Sequence, residues 1–348
     1  MQTKNLNEYP LAALLARDAA VSGRSDKAAQ LFPALTPGTP VPGVLMPEEA
    51  CSWEGLVTLE GRPYRVAATR EGEETLYLFQ SVEQQALGEG QLDSTLFQAR
   101  SLMGEFRREL APYMRGEKER FSVQDQADFA RSYYRLLRLM DNLDLLRDAA
   151  AGQLRLIREQ LDLERLCSMA ALECTGLLEQ QGIRVEFTGL CVPVVATGDG
   201  ELLRQALLEL ISNCARRLKG GGVISISLRK KGSWARICVT DSGPAATARE
   251  KLALTARGAM PLIPMPGMGA GLGLSVAEHI AQMHEGAVLA SAGEGAPKVY
   301  LALPVRTRLG ESVSLNAPRP ERNAGMNPYM IALSDVLGGE MLREDWLE

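Results

Sequence analysis

The sequence predicts an α+β multidomain protein, and three patterns along its 348 residues carry that expectation. Short β-rich runs separated by turn residues fill the first quarter. A double heptad repeat follows, and strand and helix patterns then alternate over 183–305. The length suits two or three domains of about 100–200 residues each.

Residues 1–88 read as a small α/β unit. Leu11 to Asp18 is expected to be helical, and AAQLFPALTPGTPVPG a helix turn closed by prolines. EGLVTLE, PYRVAATR and TLYLFQSV are expected strands, separated by Gly61-Arg62 and by Glu71 to Glu74. That spacing describes an antiparallel meander.

Residues 90–180 read as two long helices. Leu92, Leu96, Ala99, Met103, Phe106, Leu110 and Tyr113 repeat at alternating steps of four and three, which is a heptad seam. Ser122 and Asp125 can cap a second helix. In it Phe129, Tyr133, Leu136, Met140 and Leu143 repeat the same spacing. Two such helices joined by a short charged turn form an antiparallel hairpin, whose seam is buried most simply against a second copy of itself.

Residues 183–305 alternate β and α. IRVEFTGL is an expected strand, and Asp199 opens the helix GELLRQALLELISNCARRL. VISISLRK and WARICVTD follow as neighbouring strands, Leu274 to Gln282 as helix, and VLASAGE and KVYLALPV as closing strands. Residues 306–348 read as a proline-bearing linker and a short amphipathic segment from Tyr329 to Leu347.

Composition narrows the function classes. The chain is 46% hydrophobic and 23% charged, with a formal net charge of -5, so no general attraction to nucleic acid or anionic lipid is expected. Its six cysteines form no CxxC pair and there are two histidines, His279 and His284, which argues against a zinc site. The N-terminus lacks the basic start and cleavage pattern of a signal peptide. The one long uncharged run, Gly258 to Ala277, contains Pro261, Pro264 and Pro266, so it is read as a glycine-rich loop and helix start rather than a membrane span. A cytoplasmic protein is expected.

Three clusters can carry chemistry. Glu209 and Asn213 stand four apart on one helix face, where a carboxylate beside an amide oxygen can hold magnesium or set a base beside a metal ligand; Arg216 follows one turn later and can meet a phosphate. The same residues also suit the wet face of an ordinary amphipathic helix. Asp241 ends a strand and Gly243 follows, which suits either a simple turn or a carboxylate accepting from an exocyclic amine. Gly269, Gly271 and Gly273 open a helix, where backbone N–H groups can close on a phosphate or serve a mobile lid. No GxxxxGK[ST] occurs, and GxGxxG is not satisfied.

In this order and spacing the clusters resemble the N, G1 and G2 boxes of the histidine-kinase-like ATPase superfamily. LLRQALLELISNCARRL is similar to the N-box helix, VTDSG to the adenine-binding turn, and GAGLGLSVAEHIAQMHEG to the G2 box and last helix. RLLRLMDNLDLLRDAAAGQLRLIREQLDLERL is similar to the second helix of the sensor histidine kinase dimerisation hairpin, and the first 88 residues resemble a degenerate PAS sensor domain in element order. The resemblance implies an α/β-sandwich ATPase domain binding ATP and Mg. Asn213 would hold magnesium, Arg216 would face phosphate, Asp241 and Gly243 would receive adenine, and Gly269, Gly271 and Gly273 would hinge the lid. Glu209 stands where gyrase-like members use a general base. Two positions and the lid depart from the pattern: Ala245 replaces a G1 glycine, Arg217 an aromatic, and the lid is short and apolar.

The largest departure is at the phosphoacceptor. The best hydrophobic frame places Arg108 of Arg107-Arg108-Glu109-Leu110 at the family's histidine. The resemblance therefore implies a dimeric, PAS-containing homologue of two-component signalling that binds Mg-ATP without phosphorylating itself on histidine, with a response regulator or another histidine kinase as partner. A nucleotide-gated interaction module and an anti-sigma-factor-type serine kinase are the alternatives.

Overall fold

The computed structural model describes residues 6–45, 52–81, 89–114, 122–218, 220–247, 272–291, 295–305 and 326–347. Twelve strands, eight α-helices and three short 3-10 helices are assigned among them. Near the N-terminus β1 (Ala12–Arg17), β2 (Ala20–Arg24), β3 (Trp53–Leu59), β4 (Arg62–Glu71) and β5 (Glu74–Ser81) form an antiparallel sheet in the order β2-β1-β5-β4-β3, with α1 (Asp26–Leu31) following β2 in the chain. The expected meander is present as β3 to β5. The expected helix at Leu11–Asp18 is not: its alanines and leucines favour helix locally, yet β1 is paired on both sides, by β2 and β5.

Two long helices follow, α2 (Glu89–Met114) and α3 (Val123–Ala150). Ser122 caps α3 through a capping box with Asp125. Phe106 and Phe129 meet with ring centroids 4.6 Å apart, joining α2 to α3. Regular helix stops at Ala150, before Gly152 at a φ of 64°. The rest of the stretch read as hairpin is β6 (Glu159–Asp162) and α4 (Leu163–Leu178), whose buried face lies on the sheet that follows.

That sheet comprises β7 (Ile183–Thr188), β9 (Gly222–Lys231), β10 (Trp234–Asp241), β11 (Ala287–Ser291) and β12 (Lys298–Pro304), in the order β11-β12-β10-β9-β7. Only β7 and β9 run parallel within it. The short β8 (Val195–Gly198) pairs with β6. Helices α4, α5 (Gly200–Arg217) and α6 (Leu272–Met283) cover one face.

The two sheets are one. β3 pairs antiparallel with β11, Val57 opposite Ala287 and Glu54 opposite Ala290, giving ten continuous strands. Side-chain alternation explains why the junction holds. From β11, Val288 and Ala290 enter the core under the helices, while Ala287 and Leu289 enter the N-terminal core. From β12, Val299, Leu301 and Leu303 face the helices and Tyr300 faces the other way. Trp234 and Cys238 of β10 join Tyr300 there. A side chain at Gly55 would meet the Val288 carbonyl at 2.7 Å, so the strand crossing demands glycine.

The expected C-terminal amphipathic segment is two short helices, α7 (Pro328–Leu333) and α8 (Gly339–Leu347). Ile331, Leu333, Leu337 and Leu342 are buried in the same core as α3, α4 and α5. Among the described residues no helix is long and apolar enough to cross a membrane.

Candidate functional site

The site is assembled on α5. Asp199 caps this helix, accepting from Leu202 N at 3.2 Å and from Ile157 N at 2.8 Å. The Asp199 N–H donates to His284 Nε2 at 2.9 Å, and His284 Nδ1 lies 2.7 Å from the Ile280 carbonyl. An amide can only donate and a carbonyl can only accept, so His284 is neutral with its proton on Nδ1. Both of its ring nitrogens serve to lock the start of α5 to the end of α6. His279 Nδ1 donates within α6 to Ser275 O at 2.8 Å.

Glu209, Asn213 and Arg216 share the face of α5 that their spacing predicts. Glu209 is 2% exposed. Its carboxylate takes Arg138 Nη2 at 2.5 Å and Arg138 Nε at 3.3 Å, and Asn142 Nδ2 donates to it at 3.0 Å. Both donors come from α3. Gly273, at the start of α6, lies directly against Glu209: a Cβ there would overlap the carboxylate. Asn213 Oδ1 accepts from Arg216 Nη2.

Asp335, in the turn between α7 and α8, completes the cluster. It accepts a hydrogen bond from Arg138 Nη1 at 2.9 Å and forms ion pairs with Arg135 Nε at 3.3 Å and Arg216 Nη1 at 3.6 Å. Burial alone would push its carboxyl up, but Arg138, Arg216 and Arg135 outweigh that and hold it below the ordinary range. Burial pulls Arg138 down, and the adjacent Glu209 and Asp335 more than reverse this, so its proton is held more tightly than usual. Arg216 is net lowered by burial, with Asp335 working against that shift.

Asp241 sits at the end of β10, its side chain without solvent exposure. Oδ1 accepts from Gly243 N at 2.9 Å, and Oδ2 from Arg217 Nε at 3.0 Å. A Cβ at Gly243 would stand 2.6 Å from Asp241 Oδ1, so the turn needs glycine. Arg217 continues to the Pro244 carbonyl at 2.6 Å. Burial, then Asp241, pushes the Cys214 thiol up, which keeps it protonated.

The structure therefore gathers Glu209, Asn213, Arg216 and Gly273, with Asp241 and Gly243 at the C-terminal end of the same helix. Gly269 and Gly271 lie outside the described residues. Arg108 is exposed on α2. Its neighbour Glu109 accepts from Ser132 Oγ of α3 at 3.1 Å, and burial, opposed by that hydrogen bond, raises its carboxyl. Sequence reasoning missed Arg135, Arg138, Asn142 and Asp335. One signal existed: Arg138 and Asn142 stand four apart on α3, off the heptad seam, so that helix carries a second, polar face.

Fitness for a nucleotide can be read from these groups. Asp241 is a buried acceptor of the kind an adenine amine needs, Gly243 and Gly273 leave room that any side chain would fill, and Arg216 is a cation on the same helix. The donor set fits Mg-ATP. In this conformation, however, Arg217 and Asp335 already engage two of those groups. Among the described residues no cluster of three histidine, cysteine or acidic side chains could hold a metal ion by itself.

Comparison with known proteins finds likenesses that include this segment of the chain. Residues 198–307 match the family described as histidine kinase-, DNA gyrase B- and HSP90-like ATPase. The chain is 28% identical over 157 residues to the adaptive-response sensory kinase SasA of Prochlorococcus marinus (strain MIT 9303), covering 44% of this chain and 42% of that one. It is 32% identical over 124 residues to the sensor histidine kinase ZraS of Escherichia coli (strain K12), covering 35% and 26%. The chain thus spans less than half the length of these curated relatives. Among solved structures, the Acinetobacter baumannii histidine kinase AdeS is similar at 18% identity and a TM-score of 0.48, over 60% of this chain and 97% of that one. Residues 198–307 are thus the part of the chain that is similar to this ATPase family.

Proposed function

We propose that the protein is a homologue of two-component sensor histidine kinases that binds Mg-ATP on α5 and does not phosphorylate itself on histidine. The observation that carries the reading is that Glu209, Asn213 and Arg216 share one face of α5, with Gly273 of α6 against Glu209 and the Asp241–Gly243 turn beside them, inside the matched segment. Asp241 would accept from the adenine amine, Asn213 would hold magnesium and Arg216 would face the phosphates, with Gly269, Gly271 and Gly273 hinging the lid. Bound Mg-ATP would supply a phosphoryl group. Glu209 takes the general-base position, and it is free to act only when Arg138 and Asn142 withdraw.

The lack of a histidine acceptor rests on placement. The chain's two histidines, His279 and His284, lie in or directly after α6, and Arg108 occupies the frame position on α2. Arginine keeps its charge and is no nucleophile. The antiparallel order β2-β1-β5-β4-β3, with α1 between β2 and β3, supports a PAS-like reading of the N-terminal unit. The heptad faces of α2 and α3 support a homodimer, and the likeness to sensor kinases supports a response regulator or another histidine kinase as partner.

A second reading, a nucleotide-gated interaction module without phosphotransfer, is favoured by the Arg138–Glu209 pair, which ties the nucleotide helix to the hairpin. Calorimetry with Mg-ATP and labelled-ATP incubation test both. The expected result is ATP binding that weakens in Asp241→Asn, by a contact of about 1.5–3 kcal/mol, with no acid-labile phosphate on the chain. Equal binding by the variant refutes the site, and phosphohistidine on the unmodified chain refutes the acceptor assignment.

A further inference from the structure

The C-terminal helices do more than finish the fold. α7 and α8 are laid across α3 and α5, and the turn between them delivers Asp335 to Arg216, the residue assigned to the nucleotide phosphates. Asp335 is not a surface partner of these arginines. Its side chain is 14% exposed, and three guanidinium groups from two helices converge on its two oxygens. The Asp335 carbonyl takes a further bond from Arg135 Nη2 at 3.3 Å. Its position is fixed from both sides. Ser334, fully buried, donates to the Ile331 carbonyl at 2.8 Å, and a Cβ at Gly339 would clash with the Ala127 backbone of α3.

Three arginines around one carboxylate make an anion site. Two positive charges would remain in excess there if the cluster held Asp335 alone; Glu209 on Arg138 removes one. The site is therefore complementary to a group of higher negative charge than a carboxylate, such as a phosphate or pyrophosphate chain. We infer that residues 326–347 are a tethered pseudo-ligand: Asp335 stands in for a phosphate between Arg135, Arg138 and Arg216, and the segment must yield before a nucleotide reaches α5. The inference rests on the proposed nucleotide site and names its regulation. Arg217 adds a second closure at the other end of the site, because it holds the Oδ2 atom of Asp241 that an adenine amine would approach.

The mechanism is competition. Nucleotide phosphates and the C-terminal segment cannot both hold Arg216, so whatever stabilises one weakens the other. The relation is reciprocal: loosening the segment should tighten nucleotide binding by the same factor that nucleotide loosens the segment.

The test uses the full chain and Asp335→Ala, with Asp335→Asn as a second variant that preserves volume. Mg-ATP affinity is measured by calorimetry, and backbone hydrogen exchange over 326–347 is followed in the unmodified chain with added Mg-ATP and, separately, with sodium pyrophosphate. The expected result is at least tenfold tighter Mg-ATP binding by either variant, with faster exchange at 326–347 on addition of either ligand. Should Mg-ATP fail to bind any form while pyrophosphate still loosens the segment, the nucleotide reading falls and the anion-site competition stands. Equal Mg-ATP affinity in all three proteins, or unchanged exchange at 326–347 with pyrophosphate, overturns the inference.

Discussion

Arg138 joins three parts of the chain through one guanidinium, from α3 to Glu209 of α5 and to Asp335 of the C-terminal segment. A buried ion pair of this kind adds little net stability, since desolvation offsets the attraction, but removing one partner strands the other charge. Arg138→Ala should therefore cost about 3–5 kcal/mol in urea unfolding. Adding Glu209→Gln in that background should recover part of the loss, because the stranded carboxylate is gone. A loss below about 1 kcal/mol would mean that water reaches Glu209. Asp335 gives the pH dependence. Its folded pKa lies below its ordinary value of 3.8, so it contributes stability above that pH and loses it as pH falls through the folded value. Unfolding midpoints of the unmodified chain should drop more steeply below about pH 4 than those of Asp335→Asn; parallel curves would deny Asp335 that role. The pairings within this cluster are not visible in the sequence as a motif. Arg138 and Glu209 are separated by 71 positions and Arg138 and Asp335 by 197, and ion pairs at such distances leave no periodic trace. The shared helix face of Glu209, Asn213 and Arg216 and the turn at Asp241 are legible because their spacing is local, set by one helix and one turn.

Gly55 shows at the level of elements how the junction between sheets depends on one missing side chain. β3 lies against β11 with Gly55 opposite Leu289, and any Cβ would press on the Val288 carbonyl and the Leu289 side chain. Gly55→Val is expected to force the strands apart or shift them, at about 1–3 kcal/mol. A thermal melt should show a lower midpoint or a separate early transition; an unchanged melt would mean that the pairing is dispensable. Strand periodicity reveals β3, β4 and β5, β7 and β9 to β12, since alternation and turn residues are local signals. It does not reveal that β3 and β11 are neighbours, which depends on two edges separated by more than two hundred residues. β1 misleads for a different reason. Its sequence AALLAR carries good helix formers, and pairing with β2 and β5 overrides that preference. The C-terminal helices read as amphipathic, but which surface receives them is a tertiary fact.

At the scale of the whole molecule, the hairpin has more apolar surface than one chain covers. The inner face of α3 is filled: Ala130, Tyr134, Leu139, Leu145 and Leu146 are buried in the main core. Its heptad face is not. Met140 is 48% exposed there, and Met103 on α2 is 57% exposed, both at positions of the repeat. Ala99, Phe106, Leu110, Tyr133, Leu136 and Leu143 on the same seams are only partly covered, while Leu92, Leu96 and Tyr113 fall where no side chain is described. Ala99, Tyr133, Leu136 and Leu143 lean on the chain's own core, and the proposed homodimer would cover what stays open, Met103 and Met140 above all, with a second hairpin in a four-helix bundle. The two methionines make the test clean, because their exposure means that a charge there costs the single chain little, whereas in a bundle the same charge is desolvated without a partner. Light scattering should give twice the 37.8 kDa chain mass for the unmodified protein at micromolar concentration. Met103→Glu and Met140→Glu should each shift it toward the mass of one chain while circular dichroism stays unchanged. A single-chain mass for the unmodified protein would refute the bundle, and a dimer that survives both substitutions would place the interface on another surface.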